Sequence, residues 1–166
     1  MWQVLHPPPI SDQEVGVTIS TTHLAARPIT AADHEWLFQL HDASHRDLVE
    51  RAYGPWEDAQ QWKFFTPLLD ECEVLIFEDN DKPVASIYLG ERDGDVWVEL
   101  VEVHPFQQGQ GIGSTVLSWV VDRAHAEGKG ILLQVHKVNV DARRLYLREG
   151  FEEISENHTH DFLRHP

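Results

Sequence analysis

Between residues 96 and 135 the chain runs from an apolar strand through a glycine-rich segment to a helix and a second apolar strand. That order leaves little choice of topology. Val96 to Val103 reads as a strand closed by Pro105. Gln108 to Gly113 then carries three glycines at alternate positions, Gly109, Gly111 and Gly113. A helix follows, with Leu117, Val120 and Ala124 on one face and Gly128 as its stop. Ile131 to Val135 is almost wholly apolar, as a strand at the centre of a sheet is. Strand, helix and strand in this succession make a βαβ crossover.

The flanking segments complete a mixed α/β pattern. His23 to Pro28 reads as a strand, and Thr30 is a good N-cap for a helix over Ala31 to Ser44 with Ala32, Trp36, Leu37, Leu40 and Ala43 at helical spacing. A second helical stretch begins near Arg46, breaks at Gly54-Pro55 and resumes from Glu57 to Phe65. Glu73 to Phe77 and Val84 to Leu89 form a hairpin about the turn Asp79 to Lys82, and Asp93-Gly94-Asp95 turns into the strand at Val96. Asp141 to Arg148 is a helix ended by Gly150, and Phe151 to Ile154 and Asp161 to Leu163 are the last strands. About seven strands and four helices result. Residues 1–20, with Pro7-Pro8-Pro9, read as an arm, and 21–166 as a single domain.

Composition narrows the class. Cys72 is the only cysteine, which excludes an internal disulfide and any zinc site built from several thiolates. The chain has no apolar run long enough to span a bilayer and no basic-then-apolar leader, so a cytoplasmic protein is the expectation. The 13 Lys and Arg against 28 Asp and Glu give a net charge of −15, which repels nucleic acid and anionic membrane. The imbalance is uneven: residues 31–100 carry 17 acids and 5 bases, residues 104–148 carry 3 acids and 6 bases. His158 and His160 would share a strand face, but no third ligand follows from spacing, so no metal is expected.

Glycines between a strand and a helix let a ligand approach the backbone, and helix N-terminal amides favour an anion. A Walker loop needs a lysine that is missing here, and a dinucleotide fingerprint needs a third glycine where Ser114 stands. A helix start that needs small residues for packing is the alternative.

Two runs of residues resemble the GNAT superfamily of N-acetyltransferases. Gln108, Gly111 and Gly113 fill its coenzyme A signature, with Val103 and Pro105 placed as that signature requires. Asn139, Ala142, Leu145, Tyr146, Gly150 and Phe151 match its second run. The resemblance implies a central mixed sheet splayed at the strands that hold the cofactor. It implies that acetyl-CoA lies between those two parallel strands, its pantetheine arm near Val101 and Val103. Gln108, Gly109, Gln110, Gly111, Ile112, Gly113 and Ser114 would wrap the pyrophosphate, and Asn139 would bond the pantetheine. Arg143, Arg144 and Lys137 are further phosphate candidates.

The resemblance also implies an N-acetyltransferase moving an acetyl group to a primary amine by direct attack in a ternary complex. That chemistry needs a base for the ammonium and an acid for the departing thiolate. Tyr146 stands where relatives place the acid, and Glu99 where many place the carboxylate. Glu102 is expected on the opposite strand face, unless a bulge intervenes. Trp36, His41, Tyr53 and Trp56 are the acceptor-pocket candidates, aromatics suited to a cationic amine. A silent acyl-CoA-binding module or sensor is the rival reading. The assembly is open, a homodimer included.

Overall fold

Two tight turns set the centre of the sheet. Asn80 and Asp81 have φ of 49° and 62°, and Asp93 and Gly94 have 55° and 84°. Paired positive φ values give a two-residue turn whose twist matches that of the strands it joins. A computed structural model describes residues 17–19 and 22–166, with side chains from residue 24 onward. In it these turns link β3 (Glu73–Asp79), β4 (Lys82–Arg92) and β5 (Asp95–Val103) into an antiparallel meander.

The remaining strands extend the sheet on both sides. β1 (Val17–Ile19) and β2 (Thr22–Pro28) lie beyond β3, and β6 (Ile131–His136), β8 (His160–His165) and β7 (Glu152–Glu156) beyond β5. The order is β1-β2-β3-β4-β5-β6-β8-β7, eight strands, with β5 and β6 the parallel pair. The additional strand is β1, which comes from the expected arm; residues 1–16 lie outside the described part.

Helices cover both faces. α1 (His34–Tyr53) and α2 (Asp58–Glu71) bury Leu37, Phe38, Phe65 and Leu68 against Val74, Ile76 and Tyr88. α3 (Ile112–Ala126) buries Val116, Leu117 and Val120 on the other face against Leu75, Ile87, Val98, Ile131 and Leu133, and α4 (Val140–Arg148) packs Ala142, Leu145 and Tyr146 beside them.

The expected break near Arg46 is absent. Nothing between His34 and Tyr53 removes an N–H or demands positive φ, and Arg46–Asp42 and Arg51–Asp47 are ion pairs one turn apart. α1 therefore runs on until Gly54 at φ 101°. His158 lies in the turn before β8, so it shares no strand face with His160. Among the described residues no helix is long and apolar enough to cross a membrane.

Candidate active site

β5 and β6 pair only from Val96–Val98 to Ile131–Leu133. Beyond that, β6 stays with β8 through His136 and β5 stays with β4 through Val103. The parallel strands separate, and a cleft opens between residues 99–103 and 134–136. The cause is local: Leu89 faces Val98 while Tyr88 faces Leu100, so Glu99 is an extra residue in β5. Such a bulge bends and twists the strand that carries it.

The bulge also resets which way the side chains point. Val98, Val101 and Val103 pack toward α3, whereas Leu100 packs with the α1–α2 cluster and Glu102 meets α1. Glu99 and Glu102 therefore stand on one face, against the expectation of opposite faces. Glu99 accepts a hydrogen bond of 2.5 Å from the Trp97 indole.

One mouth of the cleft is the glycine loop. Gly109 and Gly111 have φ of 76° and 82°, and Gly111 caps the start of α3. Among the described residues the amides of 109–114 donate to no backbone carbonyl. Six N–H groups at a helix N-terminus, without a Cβ at three positions, fit a pyrophosphate. The Gln108 side chain donates 3.1 Å to Val103 O, and Gln110 donates 3.3 Å to Phe106 O, so both glutamines brace the loop. Gly113 serves packing as well, since a Cβ there would stand 3.1 Å from Leu145 Cδ2. Replacing Gly111 by alanine is expected to cost about 1–2 kcal/mol from the left-handed φ alone. A urea melt of that variant, run beside acetyl-CoA titration, separates this strain from lost binding.

Other expected cofactor contacts are placed differently. Asn139 Oδ1 accepts from Ala142 N at 3.3 Å and caps α4. Arg143 is held by Asp161 at 2.9 Å and Glu153 at 2.6 Å, and Lys137 by Glu156. Both cations are committed to β7 and β8, while Arg144 is exposed beside Asp141. Arg148, which the sequence did not single out, reaches Ser114 Oγ at 3.4 Å.

Tyr146 is half-buried and packs beside the α3 face, 5.8 Å from the Phe151 ring. Its hydroxyl makes no hydrogen bond among the described residues, and burial pushes its pKa up to about 12. It keeps its proton at any physiological pH.

Across the cleft, α1 leans on the end of β6: the Tyr53 ring is 5.4 Å from His136, and Arg51 donates 3.4 Å to Val138 O. Tyr53 is 67% exposed. Trp36 packs against the α1–α2 core instead. Trp56 is buried, and Arg46 already covers its ring at 4.9 Å. His41 is buried too, with Nδ1 2.8 Å from Glu102 Oε2 and Nε2 3.3 Å from Gln61 Oε1. His45 Nδ1 also lies 2.8 Å from Glu102 Oε2, and Ser44 Oγ donates to that oxygen at 3.1 Å. The two histidines hold the Glu102 carboxyl down at about 2 against the opposing effect of its burial. Glu102 pushes His41 up, again against burial. Ser86 Oγ, Tyr88 Oη and Glu102 Oε1 are buried without a hydrogen-bond partner among the described residues, and Ser86 is the cross-strand neighbour of Glu102.

Solved structures share this architecture. An N-acetyltransferase, PaiA, from Thermoplasma acidophilum in complex with coenzyme A superposes with a TM-score of 0.73 at 18% identity, over 85% of this chain and 97% of that one. The ribosomal-protein-S18-alanine N-acetyltransferase from Escherichia coli gives 0.64 at 19%, over 85% and 90%. The protein yncA from Salmonella typhimurium, with its cofactor acetyl-CoA, gives 0.59 at 22%, over 85% and 92%. No curated protein sequence matches the chain. At these identities the likeness establishes the fold. The family model described as Acetyltransferase (GNAT) family matches residues 37–151, which hold the splayed strands, the glycine loop and Tyr146. The chain belongs to the GNAT family of acetyltransferases.

Proposed function

We propose that this protein transfers the acetyl group of acetyl-CoA to a primary amine by direct attack in a ternary complex. The observation that carries the reading is the row of six amides, without a carbonyl partner among the described residues, at the mouth of a cleft between splayed strands. Neighbours crystallised with coenzyme A or acetyl-CoA support it.

The loop amides of residues 109–114 bind the pyrophosphate, with Arg148 beside Ser114 as a side-chain cation. The pantetheine arm runs along the edge of β5 at Val101 and Val103, which β6 has left. The amine reaches the cleft from the α1 side, where Tyr53 is exposed and acids outnumber bases. An ammonium must lose one proton before its nitrogen attacks the thioester carbon. The C–N bond then forms, the C–S bond breaks, and the nitrogen gives up its second proton as the thiolate takes one. A phenol held near 12 is a poor outright acid for a thiolate whose parent pKa is about 8.5. Tyr146 therefore acts first as a hydrogen-bond donor that stabilises the developing sulfur charge. The base belongs to the α1-facing side of β5, where Glu99 and Glu102 both stand.

Calorimetric titration with acetyl-CoA tests the reading. Binding of about −8 kcal/mol or stronger, micromolar or tighter, is expected, followed by thiol release when amines are added. Tight binding without release from any amine favours a sensor, and no binding removes both readings.

A further inference from the structure

We propose that His45, oriented by the buried Glu102, is the base that takes the first proton from the acceptor ammonium, with His41 as a positioning partner. This rests on the transferase reading and names the residue that reading leaves open.

The argument begins with tautomers. Glu102 is 1% exposed, and its Oε2 lies 2.8 Å from Nδ1 of both His41 and His45. A nitrogen that close to an anionic oxygen carries its hydrogen. His41 has a second acceptor, Gln61 Oε1, on its other nitrogen. With acceptors at both nitrogens and no solvent, His41 settles as imidazolium and balances the buried carboxylate.

His45 is different. Its Nδ1 faces Glu102 Oε2 and Ser44 Oγ, while its Nε2 has no partner among the described residues. With the proton fixed on Nδ1, the free lone pair is on Nε2. This is the arrangement by which a carboxylate orients an imidazole for proton abstraction. The side chain is 17% exposed, so it is open to a substrate yet held in place. It also lies over the part of β5 that β6 has left, three residues past the bulge. Glu99 lies at the splay point itself, with its carboxylate taken by Trp97.

Glu102 Oε1, Ser86 Oγ and Tyr88 Oη are buried without hydrogen-bond partners among the described residues, so the carboxylate behind the imidazoles is only partly satisfied. The titratable and charged groups around the cluster, among the described residues, are His41, Asp42 and Arg46 on α1, Glu102 on β5 and Tyr88 on β4. α2 brings Gln61, Phe64 and Phe65.

The test is the pH profile of kcat/KM for thiol release with the best amine of a panel, in wild type, His45→Gln, Glu102→Gln and Glu99→Gln. His45→Gln should lose about 100-fold at neutral pH and climb steadily toward the pKa of the amine, with acetyl-CoA affinity unchanged. Glu102→Gln, which keeps His45 but removes the carboxylate that orients it, should lower kcat with acetyl-CoA affinity unchanged, and Glu102→Asp should recover part of the loss. A wild-type profile in His45→Gln, an unchanged kcat in Glu102→Gln, or a flattened limb in Glu99→Gln alone overturns the assignment. Wild-type protein that releases no thiol with any amine fails at the transferase reading instead. Near-native melting of His45→Gln guards against a folding defect, and if it melts early, Glu102→Gln decides.

Discussion

Tyr146→Phe should lower turnover by about 100- to 1,000-fold while leaving acetyl-CoA affinity within a few-fold of wild type. The ring packs beside the α3 face and near Phe151, contacts that phenylalanine keeps. Only the hydroxyl is lost, and no hydrogen bond among the described residues involves it. The stability of the variant should therefore match wild type or exceed it slightly. Stopped-flow thiol release beside calorimetry with acetyl-CoA reads both effects. A parallel loss of affinity and turnover would make the tyrosine a scaffold residue and return the question of the thiolate's partner to the backbone.

The second large effect concerns Glu102→Leu. Leucine is close in size and better suited to a buried site, yet it strands His41 without its counter-charge. Breaking a buried pair in this way costs about 3–5 kcal/mol. The loss should depend on pH with a definite shape. Glu102 has a depressed pKa, about 2 against an ordinary 4.5, so its contribution is complete above 4.5 and fades as pH falls toward 2. His41 has a raised pKa, so its contribution is complete below its ordinary 6.5 and fades as pH rises through the raised value. The stability difference between wild type and variant should thus be widest between about pH 4.5 and 6.5 and narrow on both sides. Urea melts of both proteins at pH 3, 5.5 and 9 measure it. A difference that stays constant with pH would mean that the cluster is held by packing and not by charge.

The glycine loop and Tyr146 were legible in the sequence because each depends on a few neighbouring residues. Gly109 and Gly111 take positive φ, and Asn139 and Gly150 bound α4 on either side of Tyr146, all within local turns. The cluster around Glu102 was not legible. Ser44 and His41 lie 58 and 61 residues from Glu102 along the chain, and their meeting depends on how α1 lies across β5. Simple alternation along β5 also sends Glu102 to the wrong face, because it has no means of counting the unpaired Glu99. The continuous α1 was missed for a related reason: the apolar spacing that marks the helix ends at Ala43, and the two ion pairs that carry it onward form only in a helix already made. Asn139 shows the converse: the resemblance named it for a ligand and did not foresee that its side-chain oxygen also caps α4.

The extra residue in β5 has a consequence for how such chains diverge. Removing Glu99 would restore a regular ladder with β4 while leaving Val98, Leu100 and Glu102 on the faces they now occupy. A relative one residue shorter here should be aligned with its gap at Glu99, and would keep its hydrophobic layers intact. It would lose the bend, and a straightened β5 could go on pairing with β6 past Val98. One deleted codon would then turn an open, ligand-accepting sheet into a closed one without disturbing the core, a short route by which a descendant could retain the fold and abandon the chemistry.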